Sequence, residues 1–171
     1  MALFSKRQPS LPDAARSAAG LAKGEKVLAW ATEEPTGVVV IATRFGLYAV
    51  SPAGERVLAK PWHEVDAGSW NPETGQLSVT WVDRSRPSQW TLGETSLLPE
   101  TLRERVQASV VLAQQVDLGP RRRGRAVIRQ GLATGDLLEQ VLRGRGARPD
   151  DEELTRALGD AAAYLREQVG R

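Results

Sequence analysis

A chain of 171 residues, 41% hydrophobic and 26% charged, is long enough for one domain with a small appendage, and apolar enough to bury a core. With no cysteine and a single histidine, His63, it excludes disulfides, thiol nucleophiles, cysteine-ligated metals and any site needing two imidazoles. A formal net charge of +2 is too small to name an anionic partner, so that argument has to come from where the charges sit.

The opening Met-Ala-Leu-Phe-Ser-Lys-Arg-Gln-Pro lacks the apolar stretch of a signal peptide. The longest apolar runs, near Val38–Ala42 and Ser109–Ala113, fall far short of the ~18 residues that cross a bilayer. The expectation is a cytoplasmic protein without a membrane span. Residues 1–24 read as a lead-in. Pro12 at the first helical position and Asp13 favour a short helix over Ala14–Ala19, stopped by Gly20. Its thin stripe of Leu11, Ala15 and Ala18 predicts weak docking or fraying.

From Glu25 the pattern has period two. Lys26–Thr32 reads as a strand, and the continuous run Val38–Ala42 as a strand covered on both faces. Thr43-Arg44-Phe45-Gly46 predicts a tight hairpin with Gly46 at positive φ, leading into a strand over Leu47–Ser51. Pro52–Glu55 turns again, before strands over Arg56–Ala59 and Trp62–Ser69. Asn71-Pro72-Glu73-Thr74-Gly75 is the strongest turn signal, because Pro72 presets φ and Gly75 can take the left-handed position. Leu77, Val79 and Trp81 then alternate with Ser78 and Thr80, and Gln89–Leu92 forms a further short strand.

Near Leu98 the period changes to 3.6. Pro99 and Glu100 open a helix to about Gln115, with Leu102, Val106, Val110 and Ala113 as its stripe. A linker over Asp117–Arg123 leads to a tail over 117–171. Arg125–Gln130 reads as a strand. Leu137–Arg143 fits either a helix, with Asp136 and Glu139 as a capping box, or the hairpin partner of Arg125–Gln130, which is preferred. A final helix is capped by Asp150 and buries Leu154, Leu158, Ala161, Ala162, Leu165 and Val169.

Strands from Glu25 to Leu92 followed by one amphipathic helix, with Thr43-Arg44-Phe45-Gly46-Leu47 and Trp62-His63-Glu64-Val65, resemble the pattern of bacterial PH-like and GRAM-like domains. The resemblance covers roughly residues 25–115 and implies an antiparallel barrel or sandwich capped by a helix over 25–116; the tail lies outside it, and its own pattern adds a small αβ unit, for an α+β fold as a whole. The whole chain is also similar to proteins of high-GC bacteria, a likeness that implies no activity. Trp30-Ala31-Thr32-Glu33-Glu34 is acidic where a phosphoinositide-binding hairpin is basic, so lipid binding is not carried over.

Four constellations invite a chemical reading. His63 beside Glu64 and Asp66 suggests a relay, but strand neighbours point to opposite faces and no nucleophile elbow is present. Asp150-Asp151-Glu152-Glu153 is accounted for by helix capping and dipole, without a metal. Among the five tryptophans, Trp30, Trp81 and Trp90 read as core, while Trp62 or Trp70 is a candidate exposed partner contact. Arg121, Arg122, Arg123 and Arg125 are the candidate anion- or partner-binding cluster, and Arg143–Arg148 lies at the same end if the tail is a hairpin. The same arginines could instead pair with the acidic start of the last helix. The expected function is a non-catalytic binding or scaffold module working through protein–protein contacts or self-association, with no cofactor and no metal. The alternative is a nucleic-acid- or anionic-surface-associated protein using the Arg121–Arg125 cluster.

Overall fold

The computed structural model describes residues 8–93 and 96–170. Its architecture is α+β: three antiparallel sheets and three α-helices, with the C-terminal helix packed on a sheet. The chain divides into two compact units, 1–105 and 106–171.

In the first unit, α1 (Asp13–Ala19) precedes a meander of β1 (Val27–Thr32), β2 (Val39–Thr43), β3 (Gly46–Val50) and β4 (Arg56–Pro61), hydrogen-bonded in that order. One face of this sheet carries Ile41 and Val50, and α1 covers it with Leu11, Ala15 and Ala19. Helix α1 is therefore docked and not frayed: Ala19 is fully buried, and Trp30 donates its indole N–H to Pro9 O at 2.9 Å. Small side chains let the helix backbone sit close to the sheet, so a weak-looking stripe is sufficient. Pro12 stands just before the helix, and Gly20 ends it at φ +65°. The opposite face presents Val40, Ala42, Leu47 and Ala49, all buried, so β2 is covered on both sides as its apolar run predicts.

The second sheet of this unit is β5 (Val65–Asn71), β6 (Gln76–Trp81) and β7 (Ser88–Thr91), with β6 central. The strand expected over Trp62–Ser69 starts only at Val65, because Trp62–Glu64 forms a single 3₁₀ turn that carries the chain from β4 to β5. The two sheets also meet where Glu34 N donates to Thr91 O at 3.1 Å. Glu33 Oε1 supports that junction by accepting from Thr91 N at 3.2 Å. Gly75 adopts φ +65° as expected. Gly46 does not: its φ is ordinary, and glycine is required because a Cβ there would lie 2.6 Å from Lys60 O across the ladder. Helix α2 (Leu98–Ser109) buries Leu98 and Leu102, the latter so close to Gly68 on β5 that a Cβ at Gly68 would meet it at 2.5 Å.

Helix α2 ends at Ser109, not near Gln115. Val110 and Ala113, expected on the helical stripe, instead belong to β8 (Val110–Asp117). A spacing of four puts residues on one side of a helix and equally on one face of a strand, so Leu112 and Val116 satisfy both patterns. What decides is β9 (Arg123–Gln130), whose backbone groups need partners on both edges and find them in β8 and β10 (Leu137–Arg143). The supposed linker over Asp117–Arg123 is thus a hairpin turn, closed by Leu118 N to Arg122 O at 2.9 Å. The hairpin reading of Leu137–Arg143 holds, with unbroken register from Leu137↔Gln130 to Arg143↔Gly124.

Helix α3 (Glu152–Val169) lies on one face of this second-unit sheet, packing Ala161, Ala162 and Leu165 against Ala126 and Ile128. Its N-cap is Asp151, not Asp150: the Asp151 carboxylate accepts from Leu154 N at 3.0 Å. No helix among the described residues is long and apolar enough to cross a membrane.

Candidate functional site

The hairpin turn between β8 and β9 and the loop after β10 bring Arg121–Arg125 and Arg143–Arg148 to one end of the second-unit sheet, as the hairpin reading requires. Gly144 N donates to Arg123 O at 2.7 Å. An open cleft of about 530 Å³ is lined by Arg121, Arg122, Arg148, Asp150 and Asp151, with Pro120 and Gly146. Three cations and two carboxylates therefore share its walls.

Those charges are largely paired with one another. Arg122 forms a fork on the helix cap: Nε donates to Asp151 Oδ2 at 2.7 Å and Nη2 to Asp151 Oδ1 at 3.1 Å. Nη2 also reaches Glu153 Oε2 at 2.6 Å. Arg123 pairs across the strands with Asp117 at 3.0 Å, and Arg148 with Asp150 at 3.0 Å. Arg121 is exposed and holds a left-handed backbone at φ +58°, a conformation that non-glycine residues take at some cost. Arg125 is half-buried and is also engaged. The structure thus brings the four predicted arginines to one place, and Arg122 and Arg123 serve as local struts there.

The Asp151 carboxyl is pulled down to about 2, first by the Arg122 hydrogen bonds and then by the backbone N–H of Leu154. The same contacts push the Arg122 guanidinium up. A carboxyl pKa depressed on folding contributes stability that is present above its unfolded value and lost as pH falls through the folded one. The second unit should accordingly lose stability between about pH 4 and pH 2. Arg122→Gln should lower the melting temperature at pH 7 by several degrees and flatten that acid limb, both readable by circular dichroism. An unchanged melting temperature would mean that the fork does not hold the helix start.

Trp62 is not an exposed contact. It is 1% exposed, and its indole N–H donates to Thr43 O at 2.9 Å, because the 3₁₀ turn swings the ring inward. Trp70 is half-buried on β5 opposite Leu77. Trp81 and Trp90 are core as expected, whereas Trp30 is only half-buried against the lead-in. His63 lies in the 3₁₀ turn, in a half-buried position. Among the described residues, no group of three or more His, Asp or Glu side chains is placed to hold a metal ion.

Two buried polar nodes carry no local signal in the sequence. Glu25, 5% exposed, accepts from Thr43 Oγ1 at 2.5 Å, Tyr48 Oη at 2.9 Å and Ala22 N at 3.0 Å. Arg129, 1% exposed on the central strand β9, donates through Nε and Nη2 to Ser109 Oγ at 2.9 and 2.6 Å. Both are structural: the first ties the start of β1 to the β2–β3 hairpin, and the second ties β9 to the end of α2.

Apolar side chains, by contrast, remain uncovered on the edges of the second-unit sheet. Val111 on β8 is 41% exposed, and Leu137, Leu138 and Val141 on β10 are 51%, 36% and 47% exposed. Neither a scan of protein-family models nor a search of curated proteins returns a match for this chain.

Proposed function

We propose that this chain is a non-catalytic protein-interaction module: a PH-like barrel followed by an αβ unit that presents strand edges to a partner. Four strands, then three strands, then a helix is the element order of PH-like domains, and it supports that assignment for residues 25–109. The observation that carries the functional reading is β10, an edge strand of seven residues with three large aliphatic side chains exposed. Long edges of this kind are normally blunted by charge, proline or bulges, because unpaired backbone groups beside apolar side chains recruit another chain.

The reading predicts site-specific cross-linking in the native cell. A photo-reactive residue at Leu138 should capture protein, whereas the same residue at Glu73, in the exposed β5–β6 turn, should capture none. Absence of any adduct at Leu138 would sink the reading, and adducts equally abundant at both sites would do the same.

The anionic-partner alternative keeps one observation in its favour, the exposed Arg121 on a cleft that also carries Arg122 and Arg148. Two carboxylates on the same walls, already bonded to Arg122 and Arg148, weigh against it. Salt-dependent retention of the protein on heparin, lost in Arg121→Gln, would favour that alternative.

A further inference from the structure

We infer that the partner seated on β10 is a second copy of this chain, joined edge to edge in antiparallel register about a twofold axis at Val141. The inference rests on the protein-interaction reading above and names its occupant.

The direction of the β10 backbone groups follows from its ladder. Gly144 N donates to Arg123 O and Gly131 N to Asp136 O, and the register between those two bonds is unbroken. In an antiparallel pair, alternate residues turn their N–H and C=O toward the partner strand. Leu138, Gln140 and Leu142 therefore bond to β9, while Leu137, Glu139, Val141 and Arg143 aim their N–H and C=O at the open edge. A second β10 can hydrogen-bond only where outward-facing residues meet outward-facing residues. Three twofold registers do this for at least three outward-facing residues of the segment, centred on Glu139, Gln140 or Val141.

Charge selects among them. Centring on Glu139 sets two carboxylates face to face, which is repulsive. Centring on Gln140 places Leu137 opposite Arg143 and Glu139 opposite Val141, leaving both charges against apolar partners. Centring on Val141 places Val141 against its own copy and sets Glu139 opposite Arg143 on both sides of the axis. That register gives an apolar centre flanked by two cross-strand ion pairs, a self-complementary arrangement of the kind an isologous interface needs.

Both side chains are already held on this side of the sheet. Glu139 pairs with Arg166 of α3 at 3.2 Å, and Arg143 Nη2 donates to Thr155 Oγ1 at 2.6 Å. Glu139 has acceptor positions left, since a carboxylate accepts about four hydrogen bonds, and Arg143, engaged beyond Thr155 as well, would add the partner's Glu139 to its existing contacts. Pairing would continue the sheet from three strands to six, with both copies of α3 on the same face. The other edge, β8, is not self-complementary in this way: its outward-facing Val111, Ala113, Gln115 and Asp117 include no cation, and its ladder is irregular between Val110 and Leu112.

The test is sedimentation of the full chain over a hundredfold range of concentration. The wild type should shift from monomer to dimer by mass action. Glu139→Arg and Arg143→Glu should each weaken the dimer by about tenfold or more, since each change acts twice across the axis. The double variant, which restores opposite charges, should recover it. Val141→Pro removes an N–H that faces outward, so it should abolish dimerisation while the β9–β10 ladder and the circular dichroism spectrum are retained. A wild type that stays monomeric throughout would overturn the proposal, as would a dimer insensitive to Val141→Pro and to both charge reversals. Cross-linking at Leu138 separates this from failure of the broader reading: an adduct with a different protein defeats only the self-pairing, and no adduct defeats both.

Discussion

Replacing Trp62 by alanine should destabilise the first unit by about 3–5 kcal/mol, the usual cost of deleting a fully buried large aromatic. The ring is 1% exposed, and its N–H satisfies the Thr43 carbonyl at the end of β2. The substitution therefore opens a cavity and removes a buried hydrogen bond together. Trp62→Phe separates these contributions. It keeps most of the apolar volume but loses the N–H, and should cost roughly 1–2 kcal/mol. Urea unfolding followed by far-ultraviolet circular dichroism measures both. If Trp62 were a partner contact on the surface, alanine would leave the midpoint nearly unchanged, and that result would refute the buried placement.

Glu25→Gln is expected to be costly even though the two side chains have nearly the same shape. Three donors converge on the carboxylate: the hydroxyls of Thr43 and Tyr48 and the N–H of Ala22. An amide supplies one acceptor end and one donor end. In either orientation a buried donor is left facing another donor, or a hydroxyl proton loses its acceptor, at a cost of about 1–3 kcal/mol.

The same variant has a spectroscopic signature. Burial first, and then the hydrogen bond and charge of Glu25, push the Tyr48 hydroxyl up to about 12. A raised pKa contributes stability that is complete below the unfolded value near 10 and is lost as pH climbs through the folded one. In Glu25→Gln the burial remains and the carboxylate does not. Tyr48 should then ionise at lower pH than in the wild type, and the alkaline loss of stability should begin earlier. Ultraviolet titration of tyrosinate, with Tyr164→Phe removing the second signal, reads the shift directly. An unchanged Tyr48 midpoint would show that the carboxylate does not act on it.

The arginine cluster shows how far local pattern carries a site. Four arginines in five residues are conspicuous, and their placement at one end of the tail followed from the hairpin reading. Pairing with the acidic start of the last helix was one of two roles open to them, and which arginine takes it was not legible, because Arg122 meets Asp151 and Glu153 from 29 and 31 residues away. Trp62 was misplaced for a related reason. Alternation assigns faces only within a strand, and the 3₁₀ turn of Trp62–Glu64 resets the phase just before β5 begins. Glu25 and Arg129 gave no signal at all, since each is a single charged residue whose burial depends wholly on partners brought from elsewhere.

By itself the sequence determined the elements whose signals are local: the strands from Val27 to Thr91, the left-handed Gly75 turn, the C-terminal helix with its apolar stripe, and the α+β class. Periodicity and turn chemistry act within a few residues, so they can be read without knowing what lies across the fold. Tertiary structure alone decided where α2 stops, which tryptophan is buried and which strand edge stays open. Each of those outcomes depends on satisfying backbone groups or charges against segments distant in sequence. Val110–Asp117 is the plainest case, because its spacing suited helix and strand alike until the unpaired edge of β9 required a strand.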